Sequence, residues 1–172
     1  MTKFTQEQVD NLNSTIKTTE EALQWVSDNL HPKVAKASSF GAEDAVVMDI
    51  MLKINPNFRF FTLDTGRLPQ ETYDIMDIVR KKYNISIEVL FPDTKEVEEM
   101  VKEKGVNLFY ESVDNRELCC EIRKVHPMNK MLNTLDGWIT GLRRDQTKNR
   151  EDVTIFQLDH GHGGILKINP IV

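Results

Sequence analysis

Apolar residues recur along the chain in two textures. From about Gln6 to Leu30 they fall at helical intervals, Val9, Leu12 and Ile16, then Ala22, Leu23, Trp25 and Val26. Thr18 followed by Glu21 resembles a capping box, so two short helices are expected and the second opens there. Residues 1–33 thus read as N-terminal helices ahead of a sheet. From Val34 onward, short apolar runs alternate with amphipathic segments: Val34 to Phe40 then Ala45 to Ile54, Phe58 to Leu63 then Glu71 to Tyr83, Ile85 to Phe91 then Val97 to Lys104. That alternation predicts βαβ units, hence an α/β fold with a mostly parallel sheet flanked by helices. Asp114 to Leu132 reads as a further helix interrupted near Pro127, and Trp138 to Leu142 as a strand. A polar, charged loop from Arg143 to Asp152 follows. Val153 to Leu158 and Ile165 to Ile168 are strand-like around the turn Asp159 to Gly164. With neither internal repeat nor low-complexity linker, residues 1–172 are expected to form one domain.

Composition narrows the function. At 172 residues and 40% hydrophobic content the chain can bury a substantial core. No uninterrupted apolar stretch reaches the ~18 residues that a membrane span needs. The opening MTKFTQEQVDNLN has neither an apolar core nor an Arg/Ser-rich amphipathic pattern, which points to a cytoplasmic address. A net charge of −5 argues against broad binding to a nucleic-acid backbone, so an anionic ligand requires a local basic site. Both cysteines, Cys119 and Cys120, are adjacent, which makes an ordinary structural disulfide between them poor geometry; a thiolate or metal-ligand role fits better.

Three strand-end segments carry candidate anion chemistry. Ser38, Ser39, Phe40, Gly41, Ala42, Glu43 and Asp44 lie between a predicted strand and helix, where small residues and a helix N-terminus favour an anion; a plain turn with Ser or Asp as the helix cap is the competing reading. Leu63, Asp64, Thr65, Gly66 and Arg67 end the next strand and should emerge on the same sheet edge, with Arg67 offering a planar donor fork. Gly141, Leu142, Arg143 and Arg144 follow a third strand; either the arginines face an anion or they sit in a solvated loop with Asp145 neutralising one. Cys119-Cys120, with Arg123 and Lys124 close behind, suits a soft metal or an iron–sulfur centre, or else one thiol is core and the other idle. His160-Gly161-His162 is better explained as a hairpin turn than as a metal pair.

Taken in order, Ser39 to Asp44, Phe61 to Arg67, Cys119-Cys120 with Arg123-Lys124-Val125 and Pro127, Trp138 to Gln146, and Asn169-Pro170 resemble the assimilatory adenylyl-sulfate (APS) and phosphoadenylyl-sulfate (PAPS) reductases, relatives of the ATP pyrophosphatases. The resemblance runs from about Lys36 to the last residue, and it implies an adenine nucleotide α-hydrolase-like fold. It also implies that Ser39 to Asp44 is a modified pyrophosphate loop, that Leu63 to Arg67 lines the nucleotide pocket, and that Arg143 and Arg144 face the anionic group. Cys119 and Cys120 would be two of the four ligands of a 4Fe-4S cluster, with Lys124 between cluster and substrate; tandem cysteines mark the branch that generally prefers APS. Phe40, Glu43 and Asp44 depart from the S-G-G-x-D-S pattern of the pyrophosphatases, which favours a sulfonucleotide over ATP cleavage.

The activity implied is reduction of adenosine 5′-phosphosulfate to sulfite and AMP with a thioredoxin-like donor. In such enzymes a cysteine in a C-terminal Glu-Cys-Gly-type tail attacks sulfur, and a C-x-x-C pair completes the cluster. Neither occurs up to Val172, so the nucleophile is expected beyond it and this chain by itself is expected to be inactive. A non-catalytic adenylyl-sulfate-binding module and a PAPS reductase are the alternatives; homo-oligomerisation stays open.

Overall fold

The computed structural model describes residues 4–143 and 153–172. Two helix caps start the chain: Thr5 caps helix α1 (Gln6–Thr15) and Thr18 caps α2 (Thr19–Leu30), each closing a reciprocal capping box, with Gln8 and Glu21 respectively. Next come β1 (Val34–Ala37), α3 (Ala42–Ile54), β2 (Arg59–Leu63), α4 (Gln70–Tyr83), β3 (Glu88–Leu90) and α5 (Thr94–Lys104). Asn84 ends α4 in the left-handed conformation, which asparagine tolerates, and Asp93 caps α5.

The helix expected from Asp114 to Leu132 is built in three parts. α6 (Val113–Cys120) passes into a π-helical turn, Glu121–Val125, and then into α7 (His126–Leu132). The irregularity lies just before Pro127, near where it is expected. Pro127 has no N–H to return to the preceding turn, and the wider turn takes up the mismatch: the His126 N–H bonds the Glu121 carbonyl, five residues back.

β4 (Gly137–Ile139), β5 (Phe156–Asp159) and β6 (Ile165–Ile168) complete a six-stranded sheet of order β3-β2-β1-β4-β6-β5. All neighbours run parallel except the β5–β6 hairpin. Strand alternation sorts the core. Val34, Phe60, Ile139 and Ile168 pack with α1, α2 and α3 on one face; Ala35 and Phe61 pack with Met131, Leu132 and Leu135 on the other. Chain order reverses direction between β1 and β4, so the loops leaving their carboxyl ends diverge and leave a crevice there, the place where open α/β sheets take ligands.

Candidate functional site

That crevice is a cleft of about 830 Å³ at the carboxyl end of the parallel strands. Of the residues singled out from sequence, Ser38, Ser39, Gly41, Glu43, Asp44, Leu63, Thr65, Gly141 and Lys124 line it. All three strand-end loops therefore meet, as expected. Gly41 is the N-cap of α3 and contributes no side-chain bond, so the first-turn N–H groups are not taken by a cap side chain. Capping by Ser or Asp, the competing reading of this loop, is not what occurs. The Asp44 carboxylate instead turns back toward the sheet, where it accepts from the Ser39 N–H at 2.6 Å, from Ser39 Oγ at 2.9 Å, and from the ammonium of Lys36.

Lys36 is the residue that sequence reading missed. It is fully buried, and its Nζ also donates to the Ala37 carbonyl at 2.5 Å. Burial pushes the Lys36 ammonium below the ordinary lysine range, and Asp44 partly offsets this. For Asp44, burial alone would raise the carboxyl; Lys36 and the two Ser39 donors outweigh it and hold the acid below the usual carboxylate range. The two groups face each other within bonding distance as a buried ion pair.

Other predicted residues do different work. Phe40 is buried outside the cleft wall, with φ of 62°. Asp64 is also buried; it accepts from the Gly66 N–H at 2.8 Å and from Tyr73 Oη at 2.9 Å, which shapes the turn behind Thr65. Gly66, at φ of 70°, occupies the left-handed region that favours glycine. The donor fork of Arg67 is not offered to the cleft: it donates to the Val106 carbonyl at 2.9 Å and to Asn107 Oδ1 at 3.1 Å, and it stacks over Phe109 at 4.6 Å. Those acceptors and the ring satisfy a planar guanidinium better than open solvent does. Arg143 reaches back to Glu43 Oε1 at 3.0 Å, while Arg144 lies outside the described residues.

The cysteine segment flanks the cleft. Arg123, in the π-helical turn, donates to the Thr65 carbonyl at 2.6 Å, tying this segment to the second cleft loop, and its Nε is buried without a hydrogen-bond partner. Lys124, from the same turn, lines the cavity. Cys119 is buried against Met100 and Leu108, whereas Cys120 is exposed. Neighbouring residues on a helix point about 100° apart, so one thiol faces inward and one outward. Among the described residues no three His, Cys, Asp or Glu side chains are grouped to hold a metal ion. Two thiols fit half of a four-cysteine set, and this chain contains no other cysteine.

Further lining residues escaped the motif search because each is ordinary in isolation. Trp138 and Lys167 form one wall, with the Lys167 ammonium 5.4 Å over the indole, whose Nε1 donates to Asp159 at 3.1 Å. Thr140 lines the cavity while its Oγ1 donates to Asn169 Oδ1 at 2.7 Å. The Asn169 amide in turn reaches the Thr154 carbonyl and Gln157, so it is a brace between the end of β4 and the approach to β5. His162 pairs with Asp159 at 3.0 Å inside the β5–β6 turn, in keeping with a structural role for that His-Gly-His segment. No helix among the described residues is long and apolar enough to cross a membrane.

Comparison with known proteins agrees with this geometry. An adenosine 5′-phosphosulfate reductase of Burkholderia cepacia is 41% identical over 141 residues, covering 82% of this chain and 56% of its own length. A 5′-adenylylsulfate reductase 1, chloroplastic, of Arabidopsis thaliana is 42% identical over 139 residues, 76% of this chain and 30% of its own. This chain therefore spans about a third to just over half the length of these relatives. A crystal structure of phosphoadenylyl-sulfate (PAPS) reductase from Candida auris, a phosphate complex, superposes with a TM-score of 0.80 at 26% identity, covering 98% of this chain and 80% of that one. The architecture is adenine nucleotide α-hydrolase-like, and the model of the phosphoadenosine phosphosulfate reductase domain matches residues 33–172; the chain belongs to that family.

Proposed function

We propose that this chain supplies the nucleotide-binding part of a reductase acting on adenosine 5′-phosphosulfate. One observation carries the reading: three strand-end loops and an uncapped helix N-terminus converge on a single cleft that Lys124 and Lys167 also line. Backbone N–H groups and ammonium groups suit the phosphosulfate, and the apolar wall of Leu63, Leu68, Met128 and Trp138 suits the nucleoside. Ser38, Ser39, Gly41, Thr65 and Gly141 would contact the ligand directly. Phe40, Asp64 and Gly66 would shape the loops from behind, and Arg143, with Arg144, would act at the mouth. The similarity to proteins named APS reductases, near 41–42% identity, favours APS over PAPS.

In the reaction, a thiolate attacks the substrate sulfur, the sulfur–oxygen bond to the phosphate breaks, and AMP leaves. A dithiol partner of the thioredoxin kind then reduces the resulting S-sulfocysteine, releasing sulfite as its own thiols become a disulfide. Neither Cys119 nor Cys120 lines the cleft, which supports a nucleophile supplied from outside the wall described here. Lys124 holds positive charge where the anionic sulfonyl oxygens would lie. Cys119 and Cys120 would hold two corners of a 4Fe-4S cluster, the other two thiolates coming from elsewhere. Such a cluster would supply a strongly polarising charge beside the site.

Isothermal titration with APS, PAPS and ATP tests the proposal. APS is expected to bind at least about tenfold more tightly than ATP, and replacing Arg143 and Arg144 together by alanine should weaken it. Equal affinity for all three nucleotides, or no affinity for any, would overturn the assignment.

A further inference from the structure

Lys36 lies in a four-residue strand, VAKA, and strand parity puts it on the same face as Val34, the face that α3 covers. A fully buried lysine is rare without a partner, and here the partner is Asp44, in the first turn of α3. Asp44 is also part of the cleft wall, at the helix end that would otherwise favour an incoming anion. An uncompensated carboxylate there would repel any phosphosulfate. The same carboxylate organises the loop, since one oxygen holds both Ser39 donors. Gly141, from the third loop, packs so closely that a Cβ on it would lie 2.6 Å from Asp44 Oδ1. Asp44 is therefore where β1, α3 and the loop after β4 meet, and Lys36 is the charge that lets it be there.

We propose that Lys36 is a positioning residue of the anion site: by neutralising Asp44 from beneath, it fixes the Ser39–Gly41 loop and lets an acidic residue line a cavity for an anionic ligand. This deepens the assignment of the cleft to a sulfonucleotide and rests on it. The other charged groups around Asp44 are its neighbour Glu43, paired with Arg143, and the cavity-lining Lys124 and Lys167. None of these replaces Lys36, the one cation within bonding distance of the Asp44 carboxylate among the described residues.

The test compares the parent chain with Lys36→Met and with Lys36→Met/Asp44→Asn, by titration with APS between about pH 5 and 8. Both acid groups of APS stay ionised over that window, so changes in affinity report on the protein. The parent should bind with little pH dependence. Lys36→Met removes the counter-charge, and burial then raises Asp44; APS affinity should fall at least about tenfold at the alkaline end and recover as acid neutralises the carboxyl. The double variant should return to within about threefold of the parent, with a flat profile. Unchanged affinity in a folded Lys36→Met chain overturns the proposal, as does a uniform loss that Asp44→Asn fails to rescue. If Lys36→Met does not fold, the charge-neutral double variant decides, and a loss beyond about tenfold there overturns the proposal. Carboxyl-carbon NMR of Asp44 needs no ligand: with Lys36 gone and the site still buried, the Asp44 titration should move up in Lys36→Met, and an unmoved titration refutes the role of Lys36. If the parent itself fails to bind APS, the function falls, and that titration still decides the role of Lys36.

Discussion

Replacing Gly141 by alanine should destabilise the chain through Asp44. The added Cβ would lie 2.6 Å from Asp44 Oδ1, and ordinary contact begins near 3.4 Å, so something must move by 3.4 − 2.6, about 0.8 Å. The carboxylate is not a loose end: it is buried, paired with Lys36, and bonded twice to Ser39. Hydrogen bonds to a charged group contribute about 1.5–3 kcal/mol each, and a 0.8 Å displacement loses most of one or distorts several. The expected destabilisation is about 2–3 kcal/mol, which urea unfolding would register as a midpoint lowered by roughly 1 M. Gly41→Ala is the internal control. Its Cβ would meet nothing nearer than 3.6 Å, and its φ of −70° is open to any residue, so stability should stay within about 0.5 kcal/mol. If Gly141→Ala unfolds at the parental midpoint, or if Gly41→Ala is the more damaging of the two, the close approach has been misread.

Four further outcomes can be checked. Phe40 has φ of 62° and a buried ring, so Phe40→Gly should be more stable than Phe40→Ala by about 1 kcal/mol, the reverse of the usual order; both lose the ring, but only glycine relieves the backbone, and equal stabilities would contradict this. The hydrogen bond that the His126 ring donates to the Glu96 carboxylate, with Glu121 also near, raises His126 above its ordinary range, so its NMR titration should move down in Glu96→Gln; because the folded value is raised, this contact stabilises the fold below the ordinary histidine range and is lost as pH rises through the folded value. Under a thiol reagent in the native state, the exposed Cys120 should be labelled well before the buried Cys119, and equal rates would count against this packing of α6. Thr18→Ala opens the capping box of α2 and should cost about 1 kcal/mol in thermal unfolding, whereas a change under about 0.3 kcal/mol would mean the cap contributes little.

What the sequence revealed depended on how local the cause was. The α2 box at Thr18 and Glu21, the βα alternation, and the emergence of three loops on one edge are set by neighbours a few residues apart, and all are present. Arg67 was read as an anion donor because its competing acceptors, Val106 and Asn107, lie some forty residues away and nothing in its own segment announces them. Lys36 was passed over because it sits inside the run Val34 to Phe40 and nothing local marks it; only the packing of α3 across β1 brings it against Asp44. The helix disturbance expected near Pro127 is there, taken up just upstream in the turn that presents Arg123 and Lys124. Adjacency in sequence did not tell that Cys119 is buried and Cys120 exposed; the turn of the helix sets that difference.

The pairing of β1 with β4 also has a kinetic consequence. Val34 aligns with Gly137, more than a hundred positions later, while β1 through β3 join across much shorter loops. Bringing such distant segments together is slow relative to local pairing, because chain entropy is lost before the contact rewards it. The half of the molecule carrying Ser39 and Thr65 can therefore assemble first, with its ligand-facing surface open on one side. If the cleft takes a nucleotide as proposed, capture would await the arrival of Gly141 and Lys167, so binding competence should be a late event in folding and a reporter of its last long-range closure.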